Sequence, residues 1–295
     1  MFEQFEYVSA SVIGRDHVLS GKGLRTTLVS GNNQDATFGR LASQRYIIGI
    51  IADGCGQGLH SEVGAKLGSV YMTERISAYL DTHRMDMFTD PSMRYSAERF
   101  LETIRLDMVA FAHQHAVTCH SPMWAFENYH RYSFLGVLVT FNGAMIFAIG
   151  DGVYAINGDV HSISFPDNKP PYFTYANTGS PVTNNNPELL KFQILERKPL
   201  DEVETLLIAS DGLDWLITAG EHLELPGRSD TVGPVSQFWT NDEFFANAFA
   251  MQRRLKILNR DVTTIDWDKR KTSTVSGILR DDTTIVAIRR KQEAG

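Results

Sequence analysis

The run Ile47-Ile48-Gly49-Ile50-Ile51-Ala52 is apolar without alternation, the pattern of a strand covered on both faces. It stops at Asp53-Gly54, and Gly56 and Gly58 follow at once. Val63, Leu67, Val70, Tyr71, Ile76 and Leu80 then recur at helical spacing, which predicts a helix over about 60–82 with Ser61 as its N-cap. A strand, an acidic glycine-rich turn and a helix thus follow in order. Upstream, loose alternation predicts a first strand over 5–14, then a polar, turn-rich stretch over 15–34. Downstream, Met85 to Ser92 reads as a loop, and Phe100, Ile104, Met108 and Phe111 predict a second helix over 95–115.

Residues 131–164 read as a β-meander. Tyr132 to Phe141 turns at Asn142-Gly143 into Ala144 to Ile149, and Val153 to Ile156 turns at Asn157-Gly158 into Val160 to Ile163. Gly150-Asp151-Gly152 interrupts this pattern where no turn is needed, which marks Asp151 as a functional acid. Residues 165–190 are rich in Pro and Asn and read as surface, followed by a short strand from Phe192 to Glu196. Glu204 to Ser210 is a second apolar strand that delivers an Asp-Gly, here Asp211-Gly212. Phe238, Phe244, Phe245, Phe249, Met251, Leu255 and Leu258 predict a helix over 236–258 with a packed aromatic face. Asp281-Asp282-Thr283-Thr284 borders a last strand, Ile285 to Ile288, and Arg289-Arg290-Lys291 reads as a solvated basic tail.

Composition narrows the class. With 295 residues, 43% of them hydrophobic, and no linker, the chain is expected to form one domain over 1–295. A net charge of -7 argues against a general nucleic-acid partner. Cys55 and Cys119 give neither a disulfide framework nor zinc spacing. The acidic N-terminus and the lack of an apolar run of about 18 residues predict a cytoplasmic protein with no membrane partner. His113 and His115 stand two apart, which a helix splays to different faces, and with His120 they are read as outside any metal site.

The acids carry the chemistry. Asp35, Asp53, Asp151, Asp211 and Asp281-Asp282 each stand at the edge of an apolar strand. Clustered carboxylates repel, so if they meet they imply a cation or raised pKa values. Oxygen ligands without paired His or Cys favour Mg²⁺ or Mn²⁺ over Zn²⁺. Two such ions sharing a carboxylate can activate a water and orient a phosphate.

The ordered set Gln34-Asp35-Ala36, Ala52-Asp53-Gly54-Cys55-Gly56, Gly150-Asp151-Gly152, Ser210-Asp211-Gly212-Leu213 and Asp281-Asp282-Thr283-Thr284-Ile285-Val286 resembles the metal-dependent protein phosphatases of type 2C. Ser61-Glu62-Val63-Gly64-Ala65 adds to the match, which spans about residues 8 to 290. The resemblance implies an α+β fold: two antiparallel β-sheets packed as a sandwich and flanked by pairs of α-helices. It implies a helical flap-like insertion over about 213–279 in which substrates are selected. It implies a Ser/Thr phosphoprotein phosphatase holding two Mn²⁺ or Mg²⁺ ions, or three. Asp53 would bridge two ions and the Gly54 carbonyl would bind one. Asp211 and Asp281 would hold the other, with Asp35 as a ligand or directly behind one, and Asp151 would serve the third. Catalysis would then rest on Asp35, Asp53, Asp211 and Asp281, with a metal-activated water attacking phosphorus. A phosphorylated protein and a cognate Ser/Thr kinase are the implied partners.

Two departures stand out. Where many members of that family carry a phosphate-gripping Arg, five residues before Asp35, this chain has Ser30; His17, Lys22 and Arg25 are the groups available in its place. Asp282 stands where many members have Asn, which adds charge and leaves open which of Asp281 and Asp282 binds metal. The missing Arg keeps a second reading in view, a weak or inactive pseudophosphatase acting as a metal-binding regulatory module. The same chemistry on a small phosphoester is a third.

Overall fold

A computed structural model describes residues 4–19, 32–42, 45–180 and 186–291. Its strands are β1 (Phe5–Val12), β2 (Ala36–Ala42), β3 (Tyr46–Gly54), β4 (Tyr132–Thr140), β5 (Gly143–Ile149), β6 (Gly152–Ile156), β7 (Asp159–Ile163), β8 (Gln193–Lys198), β9 (Thr205–Ala209), β10 (Val262–Asp266), β11 (Lys271–Val275) and β12 (Thr283–Arg290). One antiparallel sheet has the order β1-β12-β9-β6-β7 and the other β2-β3-β4-β5-β8; β10 and β11 form a separate hairpin. The helices are α1 (Arg15–Leu19), α2 (Ser61–Thr82), α3 (Ala97–Thr118), α4 (Pro122–Tyr129), α5 (Tyr175–Thr178), α6 (Asp214–Ala219), α7 (Gln237–Thr240), α8 (Asp242–Ala246) and α9 (Ala250–Leu258).

The unbroken apolar run in β3 follows from burial on both faces. Ile47 and Ile51 point into the space between the sheets, where they meet Leu206, Ile208, Val286 and Ile288 of the other sheet. Ile48 and Ile50 point outward beneath Met72 and Ile76 of α2 and Phe100, Ile104 and Met108 of α3. The outer face of the first sheet, with Val8, Ala10, Leu207 and Ile285, is covered by Phe238, Phe244, Met251 and Leu255. Four layers therefore stack through the molecule: helix, sheet, sheet, helix, with Gly49 letting the two sheets close in, since a Cβ there would lie 2.7 Å from Val286 Cγ1.

Several sequence expectations change. The meander over 131–164 is two hairpins in different sheets: β4-β5 belongs to one, β6-β7 to the other. The chain steps between them at Gly150-Asp151-Gly152, where both glycines have positive φ (104° and 140°). Ser61 is the first residue of α2 and does not cap it; His60 occupies the cap position, and Ser61 Oγ accepts from Gln34 Nε2 at 3.0 Å. The helix expected over 236–258 is broken into α7, α8 and α9, because the Asn241 and Asn247 side chains accept from the N–H groups of Glu243 and Phe249 and restart the chain. The segment 213–279 is accordingly only partly helical and also carries the β10-β11 hairpin. Tyr172 and Phe173, in the stretch read as surface, are buried. Arg289 and Arg290 belong to β12: Arg289 pairs with Glu6 and Asp242, and Arg290 with Glu204.

Candidate metal centre

Antiparallel pairing brings the acids to one rim. In such sheets the C-terminal ends of β3 and β9 lie beside the N-terminal ends of β2, β4 and β12. The register sets Asp53 opposite Ser133 and Ala52 opposite Ala36, while Ala209 faces Ile285. Asp53 stands in this register, Asp35 directly precedes Ala36, Asp211 follows the end of β9 after Ser210, Asp281 and Asp282 directly precede β12, and the sheet-to-sheet step adds Asp151. Asp53, Gly54, Asp151, Asp211 and Asp281 line a single cleft of about 250 Å³, together with His17, Gln34 and Ser133.

Asp35 and Asp282 are placed differently. Both are buried, at 3% exposure each, and neither lines the cleft. Asp35 accepts from Ser210 Oγ at 2.6 Å. Asp282 accepts from the Gly14 N–H at 2.6 Å and the Gln34 N–H at 2.5 Å, and its Oδ1 lies 3.0 Å from His17 Nδ1. Asp282 thus ties the loop after β1 and the segment before β2 to the acidic rim. Asp281 faces the cleft, with Oδ1 3.7 Å from His17 Nε2. Among the described residues, ligand atoms of His17, Asp281 and Asp282 gather within 4.8 Å of one another.

The electrostatics match the donor set. Burial, followed by the charges of Asp281, Asp151 and Asp214, pushes Asp211 up to about 7. Burial leads again at Asp151, raised to about 6 with Asp281 and Asp214 adding to it. Asp53 rises through burial and then through Asp35, Asp211 and Asp151; Asp35 rises through burial and then Asp282. Asp281 is raised mainly by burial, with His17 opposing. The Asp282 carboxylate, 3.0 Å from Nδ1, holds the His17 imidazole above the usual histidine range, against burial and with help from Asp281 and Asp35. A rim of carboxylates that burial and mutual repulsion drive towards protonation is a site that a hard divalent cation relieves. The residues present therefore fit Mg²⁺ or Mn²⁺.

Of the three groups considered for phosphate binding, His17 lies on the cleft, and Lys22 and Arg25 fall outside the described residues, as does Ser30. The opposite wall is made by Asn168, Pro170 and Tyr172, with Cys55 beside them; none of the cleft residues comes from 213–279. The sequence reading missed this wall because Pro170-Pro171-Tyr172-Phe173 carries no periodicity. It also missed Ser210, whose only signal is its place before Asp211-Gly212. His115 Nδ1 meets His130 Nε2 at 2.7 Å, and neither residue lines the cleft.

The two packed antiparallel sheets with outer helices recur in solved structures. An engineered variant of a bacterial serine phosphatase aligns with a TM-score of 0.52 at 14% identity, over 98% of this chain and 99% of that one. The bacterial serine phosphatase itself gives 0.50 at 14% identity, over 99% and 100%. A C. elegans sex-determining protein gives 0.50 at 10% identity, over 97% of this chain and 64% of that one. At such identities the likeness is one of fold. The family follows from the sequence: the model of protein phosphatase 2C matches residues 27–257, and the chain belongs to that family. Comparison with curated proteins returns no match. Among the described residues, no helix is long and apolar enough to cross a membrane.

Proposed function

We propose that the chain is a metal-dependent phosphatase acting on phosphoserine and phosphothreonine in proteins. The observation that supports it is the convergence of Asp53, Asp151, Asp211 and Asp281 on one cleft, with burial and repulsion raising all four. In this reading Asp53, Asp211, Asp281 and the Gly54 carbonyl hold two Mn²⁺ or Mg²⁺ ions, and Asp151 serves a third. When bound, such ions lower the pKa of water and offset the charge of a phosphate. Asp35 and Asp282 stand behind the rim: Asp35 adds negative charge beneath Asp53, and Asp282 fixes Gly14, Gln34 and His17. His17 presents its Nε2 edge to the cleft and takes up the phosphate-orienting work that Ser30 leaves undone. Asn168 and Tyr172 form the wall that a phosphopeptide passes. Asp282 is a positioning residue, and Asp281 is the ligand of the pair. A cytoplasmic setting with an opposing Ser/Thr kinase completes the reading.

The test is hydrolysis of p-nitrophenyl phosphate and of a phosphothreonine peptide by purified protein, with Mn²⁺, Mg²⁺ or EDTA. Asp53→Ala and Asp211→Ala variants run alongside. Metal-dependent turnover that both substitutions abolish is expected. Metal binding by calorimetry without turnover under any condition would replace the enzyme with the regulatory module. No metal binding at all would remove both.

A further inference from the structure

Arg94 and Arg99 differ from most arginines on the helical side of the second sheet, although Arg84 shares their lack of a carboxylate partner among the described residues. Arg40, Arg45, Arg75, Arg105, Arg131 and Arg197 each pair with a carboxylate. Among the described residues no carboxylate lies within 4.0 Å of either the Arg94 or the Arg99 guanidinium. The nearby acids are engaged elsewhere. Asp86 and Asp90 accept from the N–H groups of Phe88 and Ser92, at 2.9 and 2.8 Å, while Glu98 pairs with Arg197 and Glu102 with Arg105.

Both arginines face a groove of about 460 Å³ whose remaining lining is His83 and the hydroxyl-bearing Tyr79, Ser92, Tyr95 and Thr103. No carboxylate lines it. The Arg94 guanidinium lies 5.5 Å over the Tyr95 ring, and Tyr79 stacks on His83 at 4.6 Å, so aromatic faces set the orientation of the polar groups. The Arg94 charge also reaches the Tyr79 phenol, where it opposes the upward push of burial and Tyr95. On a chain of net charge -7, this groove gathers two unpaired guanidinium forks, an imidazole and the phenols of Tyr79 and Tyr95, while the Ser92 and Thr103 hydroxyls donate to Asp90 Oδ1 at 2.5 Å and to the Arg99 carbonyl at 2.9 Å. Guanidinium forks backed by hydroxyl donors are the chemistry of oxyanion recognition.

We propose that this groove is a second, non-catalytic binding site for a phosphoryl group. Tyr79 and His83 stand at the C-terminal end of α2, whose N-terminal end adjoins the Gly54–Gly58 loop. The intervening turns place the groove about 27–30 Å from the acidic rim, too far for one phosphate to serve both. The volume exceeds that of a phosphate ion and falls in the range of roughly 300–1,000 Å³ found for small-molecule sites. It leaves room for the group that carries the phosphate, either a small organic phosphate or a phosphorylated polypeptide segment. The proposal does not depend on the phosphatase reading.

The test is calorimetric titration of the full chain in EDTA, which leaves the acidic cleft without cations and repulsive to anions. The probes are inorganic phosphate, glycerol phosphate and a phosphoserine peptide. Saturable binding is expected. It should weaken at least tenfold in the Arg94→Ala/Arg99→Ala double variant and with added salt, and stay within twofold in Asp211→Ala. The arginine variant should keep its circular dichroism, its thermal unfolding and any Mn²⁺-dependent p-nitrophenyl phosphate hydrolysis, which separates failure here from failure of the phosphatase reading. Tenfold preference for the peptide over glycerol phosphate assigns a phosphorylated segment; equal affinity assigns a small phosphate. Absence of binding in EDTA, binding that survives loss of both arginines, or binding lost with Asp211 would overturn the proposal.

Discussion

The Asp282 carboxylate accepts the backbone N–H of Gln34 at 2.5 Å across 248 residues of sequence, and its other oxygen accepts the N–H of Gly14. Its charge thus serves two backbone donors and His17, while the neighbouring Asp281 faces the cleft. Asp282→Ala leaves two buried N–H groups without their acceptor, at a cost of about 2–4 kcal/mol. Urea denaturation should register that loss. Mn²⁺ affinity should fall less than in Asp281→Ala; the reverse order would make Asp282 the ligand.

Ser210 occupies a similar supporting position. Its hydroxyl donates to Asp35 Oδ2 at 2.6 Å and accepts from the Thr284 N–H at 2.9 Å, joining β9, β12 and the start of β2. Ser210→Ala should destabilise the protein by about 2 kcal/mol, most of it through Asp35. A double-mutant cycle with Asp35→Asn, read by urea unfolding, should return a coupling of about 1–2 kcal/mol. Additive effects would mean that the contact contributes nothing.

Gly64 in α2 allows a close helix contact. A Cβ there would lie 1.6 Å from the Tyr129 carbonyl oxygen at the end of α4, and backbone on both sides leaves nothing flexible to yield. Despite the better helix propensity of alanine, Gly64→Ala should cost about 3 kcal/mol or more through overpacking. Thermal unfolding measures this directly. An unchanged or raised Tm would show that α4 moves aside freely.

What the sequence discloses and what it hides follow from the range of the interactions. β3, β4, β5, β9 and β12 were legible because burial on both faces leaves runs such as Ile47–Ala52 and Leu206–Ala209 with no polar position. Asp53, Asp151, Asp211 and Asp281-Asp282 were legible because each borders such a run, whereas Asp35 precedes β2, where Thr37 and Arg40 interrupt the apolar pattern. Long-range contacts were not. Nothing local in Gly150-Asp151-Gly152 says that the chain changes sheets there, since that depends on β6 pairing with β9, some 50 residues on. Phe238 to Leu258 has helical spacing throughout, yet Asn241 and Asn247 divide it by binding their own backbone. Arg289 looked solvated because its partners, Glu6 and Asp242, are distant in sequence.

The acidic rim predicts an unusual pH dependence when no divalent cation is present. Asp211 at about 7 and Asp151 at about 6 stand above the roughly 3.9 of an unfolded aspartate, so the folded chain holds these protons more tightly. Their contribution to stability is complete below about pH 4 and is lost as pH rises through about 6 and 7. His17, raised by Asp282, runs in the same direction. In EDTA the Tm should therefore fall between pH 5 and pH 8, and an Asp151→Asn/Asp211→Asn variant should show a flatter profile. Mn²⁺ should raise the Tm more at pH 8 than at pH 5, because ligands already stripped of protons bind the ion without competition. An EDTA profile with the same slope in the parent and the double variant would show that these carboxylates titrate normally, and that repulsion at the rim does not favour a cation.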